Sequence, residues 1–344
     1  MDQGILQRSK LPALLDALCV QGAVYAPVNG DKGVAFGRIT AGREGVIDGP
    51  NPVMSPKGLF FPQCETLWTF DANGVKAVVE PPAGPFTVFG LRPCDAAALV
   101  ALDRVFGDEG TGFKDPYFMT RRRNGLLIVV ACDRPCRTCF CTSVGGGPYA
   151  AAGADILVST GGTELAWQAC SPRGRELMRT HAAFFTAADA LDALYKGREA
   201  KARTAMPEGI STDGVADKLR AGFNAKVWNT MFTRCLGCGV CTFVCPTCHC
   251  FDITDEADGA QQGRHVRAWD SCQFALFTSH ASGHNPRPSK KERMRQRILH
   301  KYLYTVDNYH AIFCTGCGRC VRACPVNLDI REMITTLRNW KEPV

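Results

Sequence analysis

The chain has 344 residues, 46% of them hydrophobic, a formal net charge of +7 and 19 cysteines. Such a length accommodates two ordinary domains, and so many cysteines behind the opening MDQGILQRSK, which has no apolar leader, argue against a small secreted disulfide scaffold and for a reducing, cytoplasmic setting. No apolar run approaches the roughly 20 residues of a membrane-spanning helix, so membrane association is expected only through a partner.

Leu, Ala and Val at helical spacing over residues 10–20, behind Ser9 and Pro12, predict a first helix, and residues 22–28 a strand. Short strands follow at 34–39, 77–79, 86–91 and 126–130, separated by Gly and Pro clusters, with helices at 95–105 and 174–185. Residues 1–205 therefore read as an α/β domain. The stretch GREAKARTAMPEG, residues 197–209, has little to bury and reads as a linker. A linker helix within 206–230, with Val215, Leu219, Phe223 and Val227 on one face, then leads into a C-terminal domain of residues 231–344. Within that domain KKERMRQRILHK, residues 290–301, carries six Lys or Arg beside an apolar stripe of Met294, Ile298 and Tyr302. Its basic residues are expected on a solvated or partner-facing side of a helix rather than on a nucleic-acid arm. Residues 328–340 read as a closing helix.

Two cysteine runs carry the chemistry. Cys235, Cys238, Cys241 and Cys245 precede Pro246, and Cys314, Cys317, Cys320 and Cys324 precede Pro325, each as C-x2-C-x2-C-x3-C-P. This is the spacing of bacterial [4Fe-4S] sites, in which three thiolates on one tight loop reach three irons and the fourth serves the other cluster. The expected sets are thus Cys235, Cys238, Cys241 and Cys324 for one cluster, and Cys314, Cys317, Cys320 and Cys245 for the other. Zinc ribbons also use C-x2-C pairs, but four-ligand zinc sites give no reason for a third x2-spaced cysteine. About 70 residues separate the runs, and with helices on both sides the arrangement resembles the α-helical ferredoxin domain of succinate dehydrogenase iron–sulfur subunits.

A third metal site is expected in the N-terminal domain. Cys94 and Cys132 each end a strand, where ligands of α/β sheets gather, and Cys136, Cys139 and Cys141 follow closely. The preferred set for a third [4Fe-4S] cluster is Cys94, Cys132, Cys139 and Cys141, leaving Cys136 spare; reduced core thiols are the plain alternative. Cys132, Cys136 and Cys139 also match the C-x3-C-x2-C of radical S-adenosylmethionine enzymes, whose barrel needs more chain than lies between Cys141 and the linker. Cys248, Cys250 and Cys272 have no assigned role. No nucleotide-binding glycine fingerprint, Walker motif or paired-histidine site accompanies these cysteines.

The phrases SPKGLFFPQCETL, LRPCDAAAL, TCFCTSVGGGP, CPTCHCFD, WDSCQF, HKYLY and CTGCGRCVRACPVNLDI together resemble the β subunits of sulfhydrogenases and NADP-linked nickel–iron hydrogenases, and the A subunit of anaerobic sulfite reductase. The resemblance implies an electron-transfer subunit without a catalytic site of its own. It would stand between a flavoprotein that handles NAD(P)H and a catalytic subunit of hydrogenase or reductase type, binding no nucleic acid. A stand-alone radical S-adenosylmethionine or other iron–sulfur enzyme is the alternative.

Overall fold

The computed structural model describes residues 2–31, 33–77, 84–107, 112–188 and 191–341. Its largest element is an eight-stranded mixed sheet built from β1 (Gln3–Gln7), β2 (Ala23–Gly30), β3 (Gly33–Ile39), β6 (Phe86–Leu91), β7 (Gly125–Val130), β8 (Ile156–Ser159), β9 (Glu164–Ala169) and β10 (Thr186–Ala187). The order is β10-β1-β9-β8-β7-β6-β2-β3. The central strands β2, β6, β7 and β8 are parallel, with antiparallel strands on both flanks. The sequences FTVFGL, GLLIVV and ILVS are buried almost throughout, as expected of parallel strands covered on both faces. Helices Leu11–Gln21, Pro93–Phe106 and Pro116–Asn124 accompany them. The expected strand at 77–79 ends a hairpin, β4 (Cys64–Asp71) with β5 (Gly74–Ala77), and its last two positions lie outside the described residues. Among the described residues the sheet is open and forms no barrel of the kind a radical enzyme would need.

A second, antiparallel sheet has the order β11-β12-β4-β5, with β11 (Phe251–Ala257) and β12 (Gly263–Trp269) forming a hairpin between the two cysteine runs. The β4–β12 ladder joins the N-terminal part to the C-terminal part, Cys64 lying opposite Ala268 and Phe70 opposite Gly263. A buried ionic knot reinforces that seam. Glu65 accepts from Arg121 at 2.7 Å and from Arg267 at 2.9 Å, and Arg267 also donates to Asp115. Phe61 stacks on Trp269 across the same seam, with ring centroids 6.0 Å apart.

Residues 197–204, expected as linker, instead complete the helix Asp192–Thr204, which buries Tyr195 and Ala202 and is braced by Arg203 on Glu199 at 2.8 Å. The single helix expected over 206–230 is two short ones, Val215–Ala221 and Trp228–Met231, because the chain breaks at Gly222. In the C-terminal part, Lys290–Leu299 runs through a π-helical turn at His300–Tyr304 into Thr305–Tyr309, and Ile330–Asn339 closes the chain. Met294, Ile298, Tyr302, Leu219, Trp228, Ile334 and Leu337 form its core. The C-terminal part is thus helical around the cysteine runs but carries a β-hairpin as well.

Candidate iron–sulfur centres

Each cysteine run turns on a glycine at positive φ, Gly239 at 73° and Gly318 at 70°, and then enters a four-residue helix, Val240–Phe243 or Arg319–Arg322. Glycine takes that conformation without the penalty a side chain incurs, which lets three cysteines curl around one space. Cys235, Cys238 and Cys241 line one cavity together with Cys324 from the other run, under Met294, Leu328 and Met333. Backbone N–H groups already point at its sulfurs, Gly237 to Cys235 at 3.4 Å and Leu328 to Cys324 at 3.2 Å. Cys314, Cys317 and Cys320 line a second cavity with Cys245, beside Arg297, Lys301 and Thr315.

The π-helical turn aims Lys301 into this second space, where its Nζ donates to Cys245 Sγ at 3.3 Å and to Thr247 Oγ1 at 2.9 Å. A hydrogen bond from Cys248, opposed by burial and assisted by Lys301, holds the Cys245 thiol well below its usual range. Lys301 is depressed by burial, yet the sulfurs of Cys245, Cys248 and Cys314 more than offset this and keep its ammonium above the ordinary lysine value.

Beyond the carboxyl ends of β6 and β7 lies a cavity of about 600 Å³. Cys94, Cys132, Cys139 and Cys141 all line it, and so does Cys136, the residue the sequence leaves spare. Burial pushes Cys132 up to about 12 and raises Cys94 as well. Cys136 goes the other way, to about 5, because Cys139 hydrogen-bonds to it against the effect of burial, with Asn51 N–H and Arg322 adding to the shift.

The three spaces are contiguous. Cys320 and Arg297 line both C-terminal cavities, and Cys317 lines the second and the N-terminal one. The second loop lies directly on the N-terminal one: Phe140 N–H donates to Gly316 O at 2.8 Å and Asn51 Nδ2 to Cys317 O at 2.9 Å. A Cβ on Gly316 would come within 2.4 Å of Cys141 N. Behind this contact Arg319, next to Cys320, clamps Asp95, next to Cys94, at 2.6 and 3.0 Å, and both residues are 1% exposed.

A 4Fe-4S dicluster family model matches residues 234–328. Over 334 residues, 97% of each chain, the protein is 30% identical to sulfhydrogenase 2 subunit beta of Pyrococcus furiosus. The chain belongs to the sulfhydrogenase β-subunit family. The resemblance read from its phrases is thereby shown, and this family member carries a 4Fe-4S dicluster domain.

The cages of this β-subunit homologue suit anionic clusters. Arg297 and Lys301, which line the C-terminal spaces, are 5% and 4% exposed. Among the described residues the negative groups facing them are cysteine sulfurs, with no carboxylate partner. A buried, uncompensated cation costs several kcal/mol, so something in these spaces must carry negative charge, and all-cysteine cubanes do. Arg92 Nε, Arg297 Nε and Thr315 Oγ1 are buried without a hydrogen-bond partner and line the three spaces; sulfide or thiolate acceptors would satisfy them. Among the described residues no three Cys, His, Asp or Glu side chains converge on a single ion.

Reading basic residues as solvated missed the inner cations. Arg293, Arg297 and Lys301 of the 290–301 segment are 7%, 5% and 4% exposed, so the expectation of a solvated basic face is overturned for this stripe: Arg297 and Lys301 face cysteine sulfurs, and Arg293 donates to the backbone oxygens of Arg287 and Pro288. Only their i, i+4 spacing alongside Met294, Ile298 and Tyr302 hinted at burial. Arg295 stays outside, stacked on Phe223 at 4.0 Å. Nothing in the sequence pairs Asp95 with Arg319, which lie 224 positions apart.

Proposed function

We propose that this chain is the iron–sulfur wire of a multisubunit oxidoreductase, passing single electrons between an FAD subunit that handles NAD(P)H and a catalytic subunit of hydrogenase, sulfite or sulfur reductase, or heterodisulfide-reductase type. The assigned ligands are Cys235, Cys238, Cys241 and Cys324 for one [4Fe-4S] cluster and Cys314, Cys317, Cys320 and Cys245 for a second. A third belongs to Cys94, Cys132, Cys139 and Cys141. Cys136 and Cys139 touch each other, so only one of them is free to sit on a given cubane, and Cys139, which lies against the second loop at Cys317 O, is the choice. When bound, each cluster supplies a one-electron carrier.

The observation that carries this reading is the row of shared walls, in which Cys320 and Arg297 separate the first two cages and Cys317 the second from the third. The protein's own groups hold the thiolates and surround them with buried cations. The relative's name makes that protein one subunit of a sulfhydrogenase, and a subunit of such an assembly needs contact with others. One end of the row is suited to it. Cys238 is exposed, Leu236 and Leu276 are 58% and 80% exposed, and Lys290 faces Cys235. Residues 218–251 and 271–291 contain no Asp or Glu but include Lys226, Arg234, Arg287 and Lys290, a surface that would steer an acidic partner. Among the described residues no helix is long and apolar enough to cross a membrane.

The test is reconstitution. NAD(P)H should reduce the clusters of this chain only when a flavoprotein partner is present. A purified single subunit that turns over a substrate with NAD(P)H at roughly 1 per second or faster would overturn the proposal in favour of a stand-alone enzyme.

A further inference from the structure

Cys248, Cys250 and Cys272 stand outside the three ligand sets, and two of them form a built pair. Cys250 directly precedes β11 and Cys272 follows β12; the hairpin ladder closes at Phe251 opposite Trp269, and Asp270 N–H extends it by donating to Cys250 O at 3.0 Å. In a continuing ladder Cys272 would move away from Cys250. It does not, because Asp270 accepts from Ser271 N–H at 2.6 Å and Ser271 Oγ from Gln273 N–H at 3.1 Å, which folds the chain back. The Cys272 N–H and thiol then both donate to the Cys250 sulfur. Gln273 Nε2 donates to Cys272 Sγ at 3.5 Å while it also holds Arg293 O at 3.0 Å, fixing the pair from the helix side.

The surroundings are not those of an idle thiol pair. Cys272 is 7% exposed, yet the buried ammonium groups of Lys57 and Lys301 face Cys250. Cations there stabilise thiolate, the form that reacts in disulfide chemistry. Cys272 also neighbours Cys241, and Cys248, which touches Cys245, neighbours Cys250, so the pair lies between ligands of both C-terminal cages.

We propose that Cys250 and Cys272 are a redox-active dithiol that holds an electron pair beside the two C-terminal clusters. The proposal rests on the cluster reading above. On oxidation two S–H bonds break and one S–S bond forms; two protons leave toward solvent past the part-exposed Cys250, and two electrons pass singly to the two oxidised neighbouring clusters, each reduced by one. Reduction runs the same steps backward. The potential ranges of protein dithiols and of cubanes overlap, so exchange in both directions is open. Such a store would match electron pairs arriving from a hydride donor to carriers that accept one electron at a time.

The experiment uses the full chain, anaerobically loaded with iron and sulfide and poised at stepped potentials. At each step it is denatured with a thiol-alkylating maleimide and mapped by mass spectrometry. The expected result is a two-electron transition in which the Cys250 and Cys272 peptides pass from alkylated to disulfide-linked. Cys250→Ser and Cys272→Ser should each abolish it while iron content and cubane spectra stay at the wild-type level. A loaded chain in which both thiols remain alkylated at every potential overturns the dithiol alone. Loss of about four irons in either variant, one cubane's worth, makes these residues ligands and overturns it too. A wild-type chain that assembles no cubane overturns the cluster reading and the dithiol together.

Discussion

Arg319→Met should be among the most damaging single changes outside the cysteines. The guanidinium spends three donors inside the protein, Nη1 and Nη2 on Asp95 at 2.6 and 3.0 Å and Nε on Pro52 O at 2.8 Å. Its removal leaves Asp95, 1% exposed, with a backbone hydrogen bond from Arg92 N–H at 3.2 Å and, among the described residues, no other ion-pair partner. Removing one partner of a buried pair costs about 3–5 kcal/mol, a large part of the roughly 5–15 kcal/mol that holds a domain folded. In anaerobic urea unfolding of the loaded chain, with a slope near 3 kcal/mol per molar, the midpoint should fall by about 1 M or more. The control is Asp95→Leu with Arg319→Met. Replacing both charges by apolar groups is close to neutral, so the double variant should lie within about 2 kcal/mol of wild type, the loss of the Asp95 cap included. A cost for Arg319→Met below about 1 kcal/mol, as for surface pairs, or a double variant as unstable as the two single changes added, would refute the reasoning.

Cys245→Ser should abolish the spectroscopic signature of the cluster built on Cys314, Cys317 and Cys320 and spare that of its own run, because Cys245 lines the other cage; loss of the Cys235 cluster instead would reverse the ligand assignment. Lys301→Met removes the ammonium 3.3 Å from Cys245 Sγ and should lower the potential of the same cluster by roughly 60 mV or more, the one-electron equivalent of about 1.4 kcal/mol, as read by redox titration followed by electron paramagnetic resonance. Arg234→Glu with Lys290→Glu should weaken assembly with the partner subunit, in a salt-dependent way, and leave iron content unchanged; retained assembly would move the docking face elsewhere.

The cysteine spacing made most of the site legible, because cubane ligation imposes a local pattern. It also implied that Cys324 and Cys245 trade places, and the fold brings each to the other run's cavity. Strands β6 and β7 were legible as continuous apolar runs, and Cys94 and Cys132 as the residues leaving them. The β4–β12 ladder was not: CETLWTFD and GRHVRAW mix polar and apolar residues about equally and lie some 200 positions apart, and nothing local announces their pairing. The helix Asp192–Thr204 looked like a linker because it buries only Tyr195 and Ala202. Arg297 and Lys301 misled for a deeper reason. A buried cation is stable only beside an anion, and here the anion belongs to the cages rather than to a carboxylate the sequence could have paired with it.

The central claim, three clusters in a row, is tested most directly by counting. Anaerobically loaded full-length chain should carry about twelve irons, four per cubane, with spin–spin interaction among the reduced clusters. Cys94→Ser with Cys132→Ser should bring the count to about eight while the two C-terminal signals persist. A wild-type chain that holds about eight irons, unchanged by these substitutions, would contradict the account.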